Sequence, residues 1–227
     1  MKPSAAPTSA PLWPPRGGEW PVLGFTLVYL AAATVAAWAT GNGEFVFYIV
    51  VMVLLLAAVW MLHRHVELTL ATLWALSAWG LAHMAGGLLP VPASWPIQGD
   101  VRVLYSLWIV PEHFKYDQLV HAYGFGITTW VCWQGLRHAL AGLTGVDRAV
   151  VPPTLGLLTL CAAASMGFGA LNEVVEFVAT LLVPKTNVGG YLNTGWDLVA
   201  NRVGAATAAV VIGVCSRRGA VTRDRPQ

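Results

Sequence analysis

Ionisable and amide side chains in the second part of the chain recur at helical spacings. Asp117 and His121 stand i,i+4, and Glu173 and Glu176 stand i,i+3 with Asn172 beside them. Asp197 and Asn201 stand i,i+4, followed by Arg202. Residues three or four apart share one face of a helix, so each pair points the same way. With His83 they form a candidate polar pocket of imidazole, carboxylate and amide groups. His83, Asp117, His121, Glu173, Glu176 and Asp197 are the ligand types that hard or borderline divalent metal ions take. No Glu-x-x-His occurs in the chain, so the pattern departs from the usual di-metal helix bundle.

Four ionised acids in one partly buried pocket would repel one another, and a metal ion, protons or Arg202 must balance them. Three readings therefore stand side by side. One is a divalent metal site. Another is a structural polar network, with Asp117 and Asp197 at helix N-termini and Arg202 paired with Glu173 or Glu176. The third is a protonatable relay or a metal-free substrate pocket. No Gly-x-Ser-x-Gly elbow, His-Glu-x-x-His helix or Walker loop is present to name a reaction.

The elements that carry these residues follow from composition. Of the 227 residues, 56% are hydrophobic and 11% charged, against roughly 25% charged in an average soluble domain. A net charge of +2 without a dense basic stripe argues against nucleic acid as a partner, and three scattered cysteines against a disulfide scaffold. A helix needs about 20 mostly apolar residues to cross a bilayer. Six stretches qualify, at 21–40, 45–62, 68–89, 117–136, 152–183 and 196–215, the fifth long enough to include an extra-membrane turn. The reading is an all-α polytopic membrane bundle spanning 21–215. A Pro-rich flexible tail at 1–20 precedes it, and a basic tail at 216–227 follows. Ala37-Trp38-Ala39 also resembles a signal-peptidase site, a competing reading for the first segment.

Six spans place nine Lys and Arg on the side of the termini and three, Arg102, Lys115 and Lys185, on the other. Both termini are then cytoplasmic, as in a multi-pass bacterial inner-membrane protein. The loop from 90 to 116 and the loop from 184 to 195 face outward. At 1.5 Å per residue, His121 and Asn201 lie about 6 Å below the outer helix ends, His83 about 9 Å, Glu176 about 10 Å and Glu173 about 15 Å. Four helices running in alternating directions deliver their polar residues to one outward layer. Elsewhere, His63-Arg64-His65 with Glu67 reads as a solvated cytoplasmic turn, and Glu112-His113 as a loop pair near the pocket mouth. Cys132, Cys161 and Cys215 read as free buried thiols.

The same residues carry a family resemblance. Tyr116-Asp117-Gln118-Leu119-Val120-His121 resembles the Tyr-Asp-x-x-x-His motif of the YjdF-like inner-membrane family. Asn172-Glu173-Val174-Val175-Glu176 is similar to that family's Glu-x-x-Glu helix, and Asn193-Thr194-Gly195-Trp196-Asp197-Leu198-Val199-Ala200-Asn201, followed by Gly204-Ala205, to its third motif. His83 with Gly86 and Gly87 matches its His-x-x-Gly-Gly. More loosely, the order Asp…His, Glu, Asp…Asn resembles the VanZ-like family, whose members carry Gln where this chain has Glu176. The resemblance implies a multi-pass envelope protein. The VanZ-like family is associated with glycopeptide-antibiotic tolerance. A lipid or lipid-linked substrate reaching the pocket through the outer leaflet, an ion-coupled carrier and an accessory membrane subunit are the functional readings this leaves.

Overall fold

The computed structural model describes residues 13–223, with side chains through Ser216. The tails expected at 1–20 and 216–227 lie outside the described residues at 1–12 and 224–227. Six helices make up the bundle: α1 (Glu19–Ala39), α2 (Gly43–Val66), α3 (Leu70–Leu88), α4 (Tyr116–Thr144), α5 (Leu155–Leu182) and α6 (Tyr191–Arg223).

Polar caps set several of the ends. Asn42, Thr69 and Thr154 each accept a hydrogen bond from a backbone N–H in the first turn of α2, α3 and α5. Gly145, at φ 72°, closes α4 in the left-handed conformation. Two expected boundaries move. α5 is one uninterrupted helix, because Pro152 and Pro153 fall before its cap rather than inside it. α6 begins at Tyr191 instead of 196, so that Asn193, Asp197 and Asn201 lie on one face at i, i+4 and i+8.

α1, α2, α5 and Tyr191–Ser216 of α6 are long and apolar enough to cross a membrane. α4 is less apolar for a packing reason. α4 runs through the middle of the bundle against α3, α5 and α6, so its polar residues need not meet lipid. The outward surfaces carry exposed Val28, Val50, Leu54, Leu160, Leu181 and Val210, as a lipid-facing surface would. α4 and α6 are the most extensively packed pair. They meet where Gly204 lies against the backbone carbonyl of Ala122, with no room for a Cβ.

The chain between α3 and α4 folds back over the bundle end. It contains a 3-10 turn (Leu104–Ser106) and a short antiparallel pair, β1 (Trp108–Val110) with β2 (Phe114–Lys115). The loop before α6 packs beside it: Asn187 N donates to Glu44 Oε2 at 2.8 Å, and Asn187 Nδ2 donates to Ser106 Oγ at 3.3 Å.

At the opposite end, the His63-Arg64 turn is not solvated as expected. Both residues are buried against Glu19, with His63 Nε2 2.9 Å from Oε1 and Arg64 donating to Oε2 at 3.0 Å. Glu67 and His65 stay exposed, Glu67 between Arg16 at 3.2 Å and Arg148 at 3.6 Å. Removing one partner of a buried ion pair leaves an uncompensated charge. Glu19→Ala should therefore lower stability by about 3–5 kcal/mol. Thermal unfolding in detergent reads this out, and an unchanged melting temperature would contradict the pairing.

Candidate functional site

Of the residues expected to converge, Asp117, Glu173, Glu176, Asp197 and Asn201 lie around the ring of His121, while His83 and Arg202 do not. His121 is buried on α4, one helical turn below Asp117. Its Nε2 lies 3.6 Å from Asp117 Oδ1 and 3.8 Å from Glu176 Oε1, and its Nδ1 lies 3.7 Å from Glu173 Oε1. Nδ1 is also 3.1 Å from Asn201 Oδ1 on α6, the contact with hydrogen-bond geometry. Two sets of potential ligand atoms share this imidazole. Asp117, His121 and Asp197 form one, and His121, Glu173 and Glu176 the other, with the atoms of each set within 4.8 Å of one another.

The carboxylates differ in what holds them. Asn193 Nδ2 donates to Asp197 Oδ2 at 2.6 Å and reaches Asp117 Oδ2 at 3.3 Å. Asn172 Nδ2 donates to Glu176 Oε1 at 2.8 Å, one turn along α5. By contrast, Asp197 Oδ1 and Asn201 Nδ2 are buried without a hydrogen-bond partner, and neither oxygen of Glu173 makes a hydrogen bond of good geometry, although Asn172 and Thr194 stand beside it as side-chain donors. Asp197 and Asn201 are both 0% exposed. Buried polar atoms normally find partners, so such atoms gathered in one cluster call for an explanation.

The cation in contact with the cluster is Lys115, whose Nζ lies 3.6 Å from Asp117 Oδ2 and also donates to Asn193 Oδ1. In sequence Lys115 enters only the topology count. The fold of the loop before α4 brings its ammonium over the site, where it is buried. Asn193 opens the third motif in sequence, but a sixth helix beginning at 196 leaves it in the loop, outside the expected pocket. The i,i+4,i+8 series it forms with Asp197 and Asn201 was the available signal.

Arg202 does not join the cluster. It is exposed and forms no ion pair among the described residues, because it is about 100° around the helix from Asn201. Nor do the two aspartates cap helices. Lys115 occupies the N-cap of α4, and Asp197 lies beyond the first turn of α6. His113 stays in the loop, its Nδ1 2.8 Å from Pro111 O.

His83 stands beside the cluster rather than within either ligand set. Its ring packs among Phe45, Tyr48 and Tyr105 at 6.3, 5.7 and 5.6 Å between centroids. Tyr105, in the loop above, hydrogen-bonds to His83 Nδ1 and packs on Gly86 where no Cβ would fit. Burial and then the nearby Asp117 and Glu176 hold the Tyr105 phenol well above its ordinary pKa. The phenol therefore stays protonated and donates. His83 Nδ1 accepts, which leaves the proton of a neutral ring on Nε2.

Two cavities reach this layer. One of about 170 Å³ opens between the outer loops and is lined by Gln98, Tyr105, Lys115, Asp117, Asn187 and Asn193. The other, of about 160 Å³, runs among α1, α2, α3 and α5 and ends at His83, Asn172 and Glu176. A polar mouth at Asp117 and an apolar chamber at Glu176 thus reach the carboxylate layer at different members. Such a site can hold a cation between helices, with Lys115 and Asn193 at the mouth to orient an anionic or hydroxyl group.

A family model described as "Predicted membrane protein (DUF2238)" matches residues 21–218, which contain all six helices except their outermost ends. No curated protein and no solved structure matches the chain.

Proposed function

The chain belongs to the DUF2238 family of predicted membrane proteins, and from that premise we propose a six-span inner-membrane protein with an outward-facing metal pocket. Its His121–carboxylate layer holds a divalent ion and acts on, or binds, an envelope or lipid-linked substrate. The observation that carries this reading is the set of buried oxygens on Glu173 and Asp197, around the His121 ring, that make no hydrogen bond of good geometry. A purely structural network would pair them, and the arginine expected to do so faces away. Lys115 alone does not balance Asp117, Glu173, Glu176 and Asp197. The looser likeness to the VanZ-like family also favours an envelope-side task.

His121, Asp117, Glu173, Glu176 and Asp197 are the residues that would hold the ion, with Asn201 orienting the imidazole through Nδ1. A divalent ion there would supply Lewis-acid polarisation and orientation of an oxygen-bearing group. Lys115 adds a positive charge on the mouth side, and Asn193 fixes both aspartates.

The test is a melting curve of the detergent-purified protein after chelation, with and without added Zn²⁺, Mn²⁺ or Mg²⁺. A ligand that binds only the folded state raises stability by mass action. Stabilisation by one of these ions should be present in wild type and Arg202→Ala, and absent in Asp197→Asn. Equal melting of wild type under all conditions would overturn the metal pocket.

Orientation has its own check. Both termini are placed in the cytoplasm by the distribution of Lys and Arg. Reporter fusions after residue 227 and within 95–110 should report opposite sides, the loop fusion outside. A C-terminal reporter active outside would overturn the six-span arrangement or its direction.

A further inference from the structure

Arg137 stands on α4 at the end of the bundle opposite the carboxylate layer. It lies about 31 Å along the helix from Tyr116, at 1.5 Å per residue, and a hydrocarbon core is about 30 Å thick. Its guanidinium is therefore at the level of the lipid headgroups, on the side of the termini. The side chain is half-buried, with Cζ 5.4 Å from the centre of the Trp133 ring. Trp133 is itself buried among Leu158, Cys161 and Ile212 of α5 and α6, so this stacking fixes where the guanidinium stands. Yet Arg137 Nε is buried without a hydrogen-bond partner, and the residue joins no ion pair among the described residues.

The acids at this end are engaged elsewhere. Among the described residues, Glu19 is held by His63 and Arg64, and Glu67 lies between Arg16 and Arg148. Asp147 is exposed and accepts from Ala149 N at 2.7 Å. The charge that acts on Arg137 is that of Arg148, which has the same sign. Arg148 is anchored through Nη1, which donates to Val66 O at 3.2 Å, and 45% of its side chain stays exposed. Two neighbouring guanidinium groups, one of them without a counter-ion, are completed by an anion. Phosphate suits them, because its oxygens accept the paired N–H donors of arginine.

The surroundings identify the source of that phosphate. Leu143, Val146 and Val150 follow Arg137 closely, Leu155 opens α5, and all four are exposed, Leu143 and Leu155 by 84% and 83%. A soluble anion would leave these side chains in water. A phospholipid covers them with its acyl chains while its phosphate meets the arginines. We propose that Arg137 and Arg148 bind the phosphate of an anionic phospholipid from the leaflet on this side. A net negative head is preferred, because a zwitterionic one carries its own cation toward two arginines that share only Glu67. This lipid site is independent of the carboxylate layer and of whatever that layer binds.

The test follows thermal unfolding of the full chain, stripped of lipid in detergent, as dioleoyl phosphatidylglycerol, dioleoyl phosphatidylcholine or inorganic phosphate is added. A lipid that binds the folded state raises its melting temperature. Phosphatidylglycerol should do so saturably, phosphatidylcholine less, and inorganic phosphate not at all. Arg137→Gln removes an unpaired charge and should fold. It should bind phosphatidylglycerol about fivefold more weakly, the share of one arginine at an anionic lipid surface. Arg148→Gln should also weaken binding, and it decides the matter if Arg137→Gln does not fold. Arg102→Gln loses the same charge in the outer loop and should respond as wild type does. Equal shifts with the two lipids would overturn the anionic head, and a shift reproduced by inorganic phosphate would overturn the lipid. An undiminished response in Arg137→Gln and Arg148→Gln, or an equal loss in Arg102→Gln, would overturn the site.

Discussion

Glu173→Gln should remove the metal-dependent part of this protein's stability and, in chelated protein, should leave the fold intact or more stable than wild type. Neither buried oxygen of Glu173 makes a hydrogen bond of good geometry, and its nearest basic group is the His121 ring at 3.7 Å. An ionised carboxylate in that position is costly unless something compensates it. The amide keeps the shape and removes the charge, so apo protein loses a penalty. It is also a poorer ligand for a hard cation, so holo protein loses its gain. With metal at about 1,000 times its dissociation constant, that gain is about 4 kcal/mol in wild type. The opposite signs in apo and holo protein separate this account from a structural network, in which the Gln form would behave alike with and without metal. Melting of both forms across a chelator and metal series measures it, and parallel shifts in the two forms would contradict the prediction.

The second large effect falls outside the ligand set. Gly204 is where α6 comes closest to α4, and a Cβ added there would run into the backbone carbonyl and carbon of Ala122. Backbone cannot swing aside as the end of a side chain can. Gly204→Ala should therefore destabilise by about 1–3 kcal/mol, and Gly204→Leu by more, despite the better helix propensity of both residues. The consequence for the site is specific. Asp117 and His121 belong to α4, and Asp197 and Asn201 to α6, so separating these helices pulls the first ligand set apart. Metal affinity should fall with stability. Gly167→Ala on α5 is the control, because nothing lies within 4 Å of its added Cβ. It should be neutral or stabilising by up to about 1 kcal/mol. If both substitutions behaved alike, the close crossing at Gly204 would be wrong.

Much of this architecture was legible because bilayer crossing imposes length and apolarity on a helix, as α1, α2, α5 and α6 show. The six segments read from hydropathy correspond to the six helices, and the one-layer convergence of His121, Glu173, Glu176 and Asp197 followed from counting depth along them. What escaped was set by helix phase or by contacts distant in sequence. Arg202 is adjacent to Asn201 in sequence but turned to another face, a distinction that proximity along the chain conceals. Lys115 precedes its helix, and only the fold of the 89–115 segment brings it over Asp117. The Glu19–His63–Arg64 cluster joins residues 44 and 45 positions apart, and a basic turn flanking a hydrophobic span looks the same in sequence whether solvated or paired. The start of α6 was obscured by Gly189, Gly190 and Gly195, which read as loop, although Gly195 lies within the helix.

The central claim is that the buried carboxylates around His121 are ligands. Elemental analysis tests it most directly, on protein purified without chelator and then dialysed against each divalent ion with its excess removed. The account predicts that wild type retains a divalent ion in stoichiometric amount, that Arg202→Ala retains it equally, and that Glu173→Gln and Asp197→Asn each lose it while remaining folded. Wild-type protein that retains no divalent ion after such loading, or a retained ion that survives both substitutions unchanged, would contradict it.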